Sequence, residues 1–193
     1  MPERYELTQL AGEIGLTSSR LFLTRPNGEK AYEVLKKRLL GVPDGEALVL
    51  VFPANQLVDG SFADETVVQL GLEILSGDFG ERCLLLEGLT RDSIKNINAV
   101  ISLRKHKLPL LLFERSGEWQ VLGRLEEHLL ETLKLVAEHG HLTAAELMPI
   151  LSLAVNTAST RLKRLHNLHL VRREYEVSER GLQYIYYFWQ WNQ

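Results

Sequence analysis

The sequence has a single cysteine and no apolar run long enough to cross a membrane. Cys83 has no second cysteine to pair with, and its position in the apolar run 83–86 predicts a small buried thiol. No stretch reaches about 18 consecutive apolar residues, and the first ten residues lack the basic and apolar segments of a secretory signal. These absences predict a cytoplasmic protein that makes no membrane contact.

The motifs of common catalytic sites are also missing. No glycine-rich phosphate loop and no nucleophile elbow occur, and no two carboxylates are placed convincingly for acid–base chemistry. The histidine pairs His139/His141 and His166/His169 lie beside predicted helix ends without a thiolate, which favours surface or capping roles over a metal site. The sequence therefore predicts a protein that is not an enzyme and that binds no cofactor and no metal.

What is present is an ordinary globular composition with an uneven charge. The 193 residues are 45% hydrophobic and 24% charged, enough for one large or two small domains. Residues 1–123 account for the net charge of −3, whereas basic and acidic residues balance in 124–193. Within that balanced part, a basic group has no acid between its members: Arg161, Lys163, Arg164, Arg172 and Arg173. For phosphate contact such a local patch matters more than the total charge.

Apolar periodicity divides the chain near Gly123. Before it, short apolar runs alternate with stretches of helical spacing. The predicted strands are 20–25, 47–52, 82–86 and 108–114, and the predicted helices are 29–40, 62–75 and 90–103, with turns at 26–28 and 41–45. This alternation predicts an α/β sandwich with parallel strand pairs over residues 1–123. Residues 124–193 are predicted to form a small, mostly α-helical domain.

The second domain begins with three predicted helices. The first starts near Leu125 and ends at Gly140, and a Thr143-x-x-Glu146 capping box opens the second. Leu147 and Ile150 are expected to face the core, and a turn follows at 151–153. The third helix, 155–167, has core positions at Ala158, Leu162 and Leu165.

The opposite side of the third helix carries the candidate DNA-binding residues. Asn156, Ser159, Thr160 and Lys163 lie near its front, where they would reach base edges in a major groove. Arg161, Arg164, Arg172 and Arg173 are better suited to phosphates.

The run 156–173, NTASTRLKRLHNLHLVRR, and the segment 175–181 after it resemble the recognition helix and wing of winged helix-turn-helix transcription regulators. The resemblance covers about seventy residues and implies a DNA-binding domain. The sequence departs from the family at His169, where a glycine is usual, and it lacks an Asn-Gly or Gly-Gly wing tip, which predicts a short wing. The alternative is a winged helix that binds proteins only.

Residues 182–191 are predicted to form a last helix with two aromatic stripes. One stripe, Leu182, Ile185, Tyr186 and Trp189, can pack on its own domain. The other is left over and consists of Tyr184, Tyr187, Phe188 and Trp191. Aromatic surfaces of that size are typical of interfaces, so these residues predict a homodimer contact or an interdomain contact. A wholly intramolecular role is the alternative, and a dimer would suit a two-fold operator.

The segment 59–65, DGSFADE, is the sharpest signature of the first domain. Ser61 is predicted to cap a helix, with Asp64 three residues later. The run resembles the Ser-Phe-Ala-Asp-Glu motif of STAS-like domains, which implies a protein-binding or sensing role and makes Ser61 a candidate phospho-acceptor. Val51 stands where that family often has an acid. A purely structural helix cap is the alternative for Ser61.

The leading function predicted from these patterns is a DNA-binding transcriptional regulator. Its STAS-like domain would sense or bind a protein or ligand, and its winged helix would read DNA as a homodimer. Two alternatives stay open: an interaction adaptor that antagonises a kinase or sigma-type regulator, and a nucleotide sensor built on residues 1–123.

Overall fold

The computed structural model describes residues 2–16, 18, 21–104, 107–178 and 181–190. The chain divides into two compact units, Met1–Arg124 and Leu125–Gln193. Both units combine helices with strands, so the fold is mixed α/β. Among the described residues, no helix has the length and apolar character needed to span a membrane.

The first unit is built on a five-stranded sheet in the order β1-β3-β5-β6-β7. The strands of this unit are β1 (Glu3–Glu6), β2 (Leu21–Phe22), β3 (Ala47–Val51), β4 (Leu57–Val58), β5 (Cys83–Glu87), β6 (Leu110–Phe113) and β7 (Trp119–Leu122). Of these, β2 and β4 pair parallel in a separate two-stranded sheet. Its helices are α1 (Leu7–Glu13), α2 (Arg25–Gly41), α3 (Gly60–Ala63), α4 (Gln69–Ser76) and α5 (Arg91–Leu103), with a π-helical turn, Asp64–Val68, joining α3 to α4. Strands β1, β3, β5 and β6 run parallel, and β7 is antiparallel to β6.

The apolar runs of the sequence form the centre of this sheet. β3 and β5 are buried along their whole length, as expected for strands covered on both faces. Leu50 and Leu86 pack in one core with Phe62 and Ile97 from the helices. Cys83 is buried, as predicted, and burial raises the pKa of its thiol, which keeps it protonated and unreactive.

The segment around Pro26 differs from the prediction. The expected strand over 20–25 is reduced to Leu21–Phe22, and the expected turn over 26–28 is the first turn of α2. Proline is tolerated there because the first N–H groups of a helix have no partner within it. The prediction was wrong because Pro26 and Gly28 are read as turn residues when their neighbours are unknown.

The second unit has three helices and a three-stranded antiparallel sheet. Its elements are α6 (Glu127–His139), β8 (His141–Thr143), α7 (Ala144–Ile150), α8 (Val155–Asn167), β9 (Val171–Ser178) and β10 (Gly181–Phe188). The sheet order is β8-β10-β9. Leu133, Val136, Leu147, Leu162 and Leu165 are buried and supply its core.

The entry to α7 follows the predicted capping box. Thr143 Oγ1 accepts from the Glu146 N–H at 3.3 Å, and the Glu146 carboxylate accepts from the Thr143 N–H at 2.8 Å. This backbone hydrogen bond lowers the pKa of Glu146, so the carboxylate that caps the helix stays ionised. Leu147 is buried as predicted, but Ile150 is 45% exposed and its predicted core position was wrong.

The last predicted helix is in fact strand β10. Gly181–Phe188 pairs antiparallel with β9 on one side and with β8 on the other. Aromatic and β-branched residues favour strands, and their spacing here also fitted a helix by chance. Residues 175–178 of the wing-like segment form the outer half of β9. The hairpin therefore has eight-residue strands and is longer than the short wing that the sequence predicted. Trp191 lies outside the described residues.

Candidate nucleic-acid interface

Helices α7 and α8 are joined by a tight turn. Ser152 lies in the left-handed region at φ 51°, and the Leu153 N–H donates to the Met148 carbonyl at 3.0 Å. α8 then begins after Ala154, and no side chain caps it. The first amides of α8 are therefore left for water or for an external acceptor, at the positive end of the helix dipole.

One face of α8 holds the helix to its unit, as the sequence predicted. Ala158, Leu162 and Leu165 are buried, at spacings of four and three residues. His166 is buried beside them and lies edge-on to Tyr186, with ring centroids 6.4 Å apart. These contacts place α8 against the face of the sheet that carries Tyr186.

The other face of α8 is open to solvent. It carries the four predicted base-reading residues, Asn156, Ser159, Thr160 and Lys163, all of which are exposed. Thr160 Oγ1 donates to the Asn156 carbonyl at 2.7 Å, so this hydroxyl is engaged within the helix and offers its lone pairs outward. Within the described part of the chain, Lys163 contacts no carboxylate. The ammonium group of Lys163 is therefore available to a phosphate.

The two arginines of α8 have partners on α6 and at its N-cap residue, Glu126. Arg161 donates to Glu131 Oε2 at 3.1 Å, and Arg164 donates to Glu126 Oε1 at 2.8 Å. A second donor of Arg164 lies 3.4 Å from His128 Nε2. The arginines predicted to hold phosphates are thus engaged in intramolecular ion pairs.

An open cleft of about 370 Å³ separates the start of α6 from α8. We call it the α6–α8 cleft; its lining is His128, Asn156, Thr157, Thr160, Arg161 and Arg164. Helix α8 supplies its guanidinium, hydroxyl and amide donors, and α6 contributes the imidazole of His128. An anion entering it would compete with Glu126 and Glu131 for the arginines. The cost is modest at Arg164, whose pair with Glu126 is open to solvent, because such pairs contribute only about 0–1 kcal/mol.

Arg172 and Arg173 do not extend one basic patch. As consecutive residues of β9 they lie on opposite faces of the sheet. Arg172 lies 3.0 Å from Glu174 and stacks over the Tyr187 ring at 4.8 Å. Arg173 stacks over the Tyr184 ring at 4.5 Å on the other face. The basic run seen in the sequence is therefore divided between two faces.

The predicted dimer residues are divided in the same way. Tyr184 is 43% exposed, whereas Phe188, on the same face of β10, is buried. Tyr187 lies on the opposite face, half-buried between Arg172 and His141, whose ring centroid is 5.3 Å away. The second aromatic stripe does not exist, because the segment is a strand and its side chains alternate. Of the stripe's described members, Tyr184 is the one left exposed to a partner.

In the first unit, the helix cap is Asp59 and not Ser61. Asp59 Oδ1 accepts from the Phe62 N–H at 2.7 Å, and Asp59 Oδ2 accepts from the Thr24 N–H at 3.0 Å. Thr24, the residue before α2, is held at φ 75°, an unusual conformation for a β-branched residue. The Ser61 prediction was wrong because the helix starts at Gly60, which leaves the exposed Ser61 inside the first turn.

Two arginines neutralise the acids of the Ser61–Glu65 segment. Arg104 Nε donates to Asp64 at 2.7 Å, and Arg25 contacts both Asp64 and Glu65. Burial raises the pKa of Asp64, but the hydrogen bonds and charges of Arg104 and Arg25 outweigh it and hold that pKa below its usual value. Ser61 is therefore surrounded by less net negative charge than the sequence suggests, and its role as phospho-acceptor stays a prediction.

Replacing Asp59 with alanine is expected to lower the free energy of unfolding by about 1–2 kcal/mol, since α3 loses its N-cap. The matched variant Ser61→Ala should change it by no more than about 0.5 kcal/mol, because Ser61 is exposed and caps nothing. Urea denaturation of the full chain measures both. Equal losses in the two variants would contradict the assignment of the cap.

Sequence reasoning missed the α6 partners of the α8 arginines. Glu126, His128 and Glu131 lie 30 or more residues before Arg161 and Arg164, and no motif connects them. Within the described ranges, no group of three or more His, Cys, Asp or Glu side chains is arranged to hold a metal ion.

Comparison with known proteins adds no family to this geometry. No family model matches the chain, and no curated protein is significantly similar to it.

Proposed function

We propose that this protein is a DNA-binding transcriptional regulator that reads DNA with α8. The observation that carries the proposal is the two-sided character of this helix: an apolar face fixed in the core, and an opposite face of short polar side chains and the exposed Lys163 in solvent. The element order α6-β8-α7-α8-β9-β10 with the sheet order β8-β10-β9 supports the resemblance to winged helix-turn-helix domains.

The dimensions and chemistry of α8 suit a major groove. A groove about 12 Å wide admits one α-helix, and residues near its front reach the base edges. Asn156 can donate to and accept from one adenine at once, and Ser159 and Thr160 can hydrogen-bond to several bases. Lys163 and the uncapped amides of α8 are suited to phosphates.

The arginines would join this contact by exchanging partners. A DNA phosphate at the α6–α8 cleft would replace Glu126 at Arg164 and Glu131 at Arg161. This exchange is least costly at Arg164, whose ion pair is the more exposed of the two. The displaced carboxylates stay near the backbone of the DNA and repel it. We therefore expect a single unit to bind DNA weakly and with a strong dependence on salt.

The first unit is proposed to carry the regulatory input. Its mostly parallel sheet and its Ser61–Glu65 segment support the STAS-like interpretation, in which this unit binds a regulatory protein or ligand rather than performing a reaction. Ser61 is exposed at the start of a helix, and a phosphate there would be favoured by the helix dipole. Arg25 contacts Asp64 and Glu65 of the same segment and would offset part of the added charge.

The DNA proposal is tested by selecting duplexes from a randomised pool with the full chain. The selected duplex is then titrated at about 50 and about 200 mM salt, where phosphate contacts change affinity steeply. Asn156→Ala should cost about 1–3 kcal/mol of binding and relax the preference at one base pair, whereas Lys163→Ala should weaken all sequences alike and reduce the salt slope by about one.

Lys134→Ala is the matched control, because Lys134 is an exposed lysine on α6 that does not line the cleft. It should bind the selected duplex as the unaltered chain does. A pool from which no sequence is enriched would overturn the proposal. Wild-type binding by both Asn156→Ala and Lys163→Ala would also overturn it.

The ion pairs of Arg161 and Arg164 favour a second candidate, an interaction adaptor that binds protein. A helix face whose arginines are already neutralised is less suited to DNA and better suited to a partner surface of mixed charge. A defined protein that binds the full chain stoichiometrically, with affinity lost in Asn156→Ala and no duplex enriched, would select this candidate.

A further inference from the structure

Strand β9 has one edge that no other strand covers. The order β8-β10-β9 puts β9 at the end of its sheet, and none of the described residues pairs with its outer side. The strand is eight residues long and contains no proline, VRREYEVS. A long edge of this kind is a template for pairing with another chain.

The register shows which residues of β9 direct their backbone outward. The Phe188 N–H donates to the Gly140 carbonyl at 2.9 Å, so alternate residues from Phe188 bond towards β8. The residues between them, such as Ile185 and Tyr187, therefore bond towards Glu174 and Arg172 of β9. The backbone groups that point away from the sheet belong to the other set: Val171, Arg173, Tyr175 and Val177.

Apolar side chains are exposed on the same stretch. Tyr175 is 71% exposed and Val177 is 77% exposed, and Tyr184 lies directly opposite Tyr175. These residues continue the face that, nearer the core, carries the buried Tyr186. The hairpin thus presents an apolar strip beside an unpaired edge, a combination typical of an interface.

We propose that β9 pairs antiparallel with β9 of a second copy of this chain, centred on Glu174. The two three-stranded sheets would join into one. In this register, Arg172 of each copy lies opposite Glu176 of the partner subunit. Arg173 lies opposite Tyr175 of the partner subunit, and the exposed Val177 lies opposite Val171 of the partner subunit.

Charge complementarity and the length of strand that is paired together select this register over its neighbours: a centre at Glu174 pairs residues 171–177 of β9. Residues whose backbone groups point outward must lie opposite each other in the two copies. The two-fold axis can therefore pass through any single residue of the strand, and neighbouring registers are centred on Arg173 or Tyr175. A centre at Arg173 places Arg172 opposite Glu174 of the partner subunit twice, but it puts the two Arg173 residues together and pairs only residues 171–175 of β9. A centre at Tyr175 places Glu174 opposite Glu176 of the partner subunit twice. The centre at Glu174 gives two Arg172–Glu176 pairs and one like-charge contact, between the two Glu174 residues, each of which is held by its own Arg172 at 3.0 Å.

This pairing keeps equivalent faces of the two sheets on the same side. Since α8 packs on the face that carries Tyr186, both α8 helices would lie on one side of the joined sheet. The interface does not depend on DNA binding, so its test is made without DNA. A monomer that still selects a DNA sequence would overturn the interface and leave the proposed function intact.

The test is sedimentation velocity of the full chain over a range of concentrations. The unaltered chain should dimerise, and Arg172→Glu or Glu176→Arg should each weaken the dimer at least tenfold. The double variant Arg172→Glu/Glu176→Arg should regain most of that loss, because the pair is restored with its charges exchanged. Lys134→Glu reverses a charge away from the edge and should dimerise normally.

A second variant tests the backbone contact itself. Tyr175→Pro removes an N–H that points away from the sheet and leaves the hydrogen bonds between β9 and β10 in place. It should therefore abolish the dimer without changing the circular dichroism spectrum. A chain that is monomeric at all concentrations would overturn the proposal. Single charge reversals that dimerise normally, or a double variant that regains nothing, would overturn it too.

Discussion

The variant Gly123→Ala is expected to lose about 3–5 kcal/mol of unfolding free energy, among the largest effects of any single substitution. Gly123 has φ 79°, and a Cβ there would lie 2.1 Å from the Leu108 carbonyl oxygen. The clash is between the backbone of residue 123 and the backbone of Leu108, and neither can move aside as the end of a flexible side chain can. The Gly123 N–H also donates to Asn98 Oδ1 at 2.7 Å, so a shift would break this bond as well.

Gly45→Ala is the matched control for this variant. Gly45 has nearly the same backbone angle, φ 80°, but a Cβ at this position meets nothing within 4 Å. It should lose only the conformational cost of a left-handed alanine, about 1–2 kcal/mol. Urea denaturation of both variants separates the steric cost from the conformational one, and equal losses would contradict the close approach to Leu108.

The variant Leu162→Ala is expected to destabilise the second unit by about 2–5 kcal/mol. Leu162 is fully buried on the inner face of α8, so the truncation loses apolar contact and leaves a cavity. Hydrogen exchange of the α8 amides should become faster as the free energy of unfolding falls, because the same packing protects these amides.

Ser159→Ala is the matched control on the same helix. Ser159 is exposed, and alanine is the better helix former, so the free energy of unfolding should stay within about 0.5 kcal/mol. If this residue reads a base, the change alters the selected DNA sequence without altering stability. A large stability loss in Ser159→Ala, or none in Leu162→Ala, would contradict the assignment of the two faces of α8.

The long helices with a regular apolar spacing were predictable because the spacing of their buried residues indicates the type of element. α8 has the predicted bounds 155–167, and Ala158, Leu162 and Leu165 are buried as expected. β10 was not predictable in this way. Its side chains satisfy helical and strand spacing over eight residues, and only its pairing with β8 and β9 decides between them.

The candidate site was predictable in composition but not in its electrostatics. Asn156, Ser159, Thr160 and Lys163 are exposed on α8 as predicted. The partners of Arg161 and Arg164 come from α6 and the residue that precedes it, and such contacts depend on tertiary packing that a single sequence does not reveal. The Ser61 cap failed for a smaller reason, since moving the helix start by one residue gives the role to a different side chain.

The Asp59 carboxylate links the starts of two helices of the first unit. One oxygen accepts from the Phe62 N–H in the first turn of α3, and the other accepts from the N–H of Thr24, which precedes α2 and lies 35 residues before Asp59. Whatever displaces that one carboxylate releases both amides together, and Thr24 is then free to leave its left-handed conformation. A local change of charge beside Asp59 is thereby transmitted to the start of α2, the longest helix of its unit.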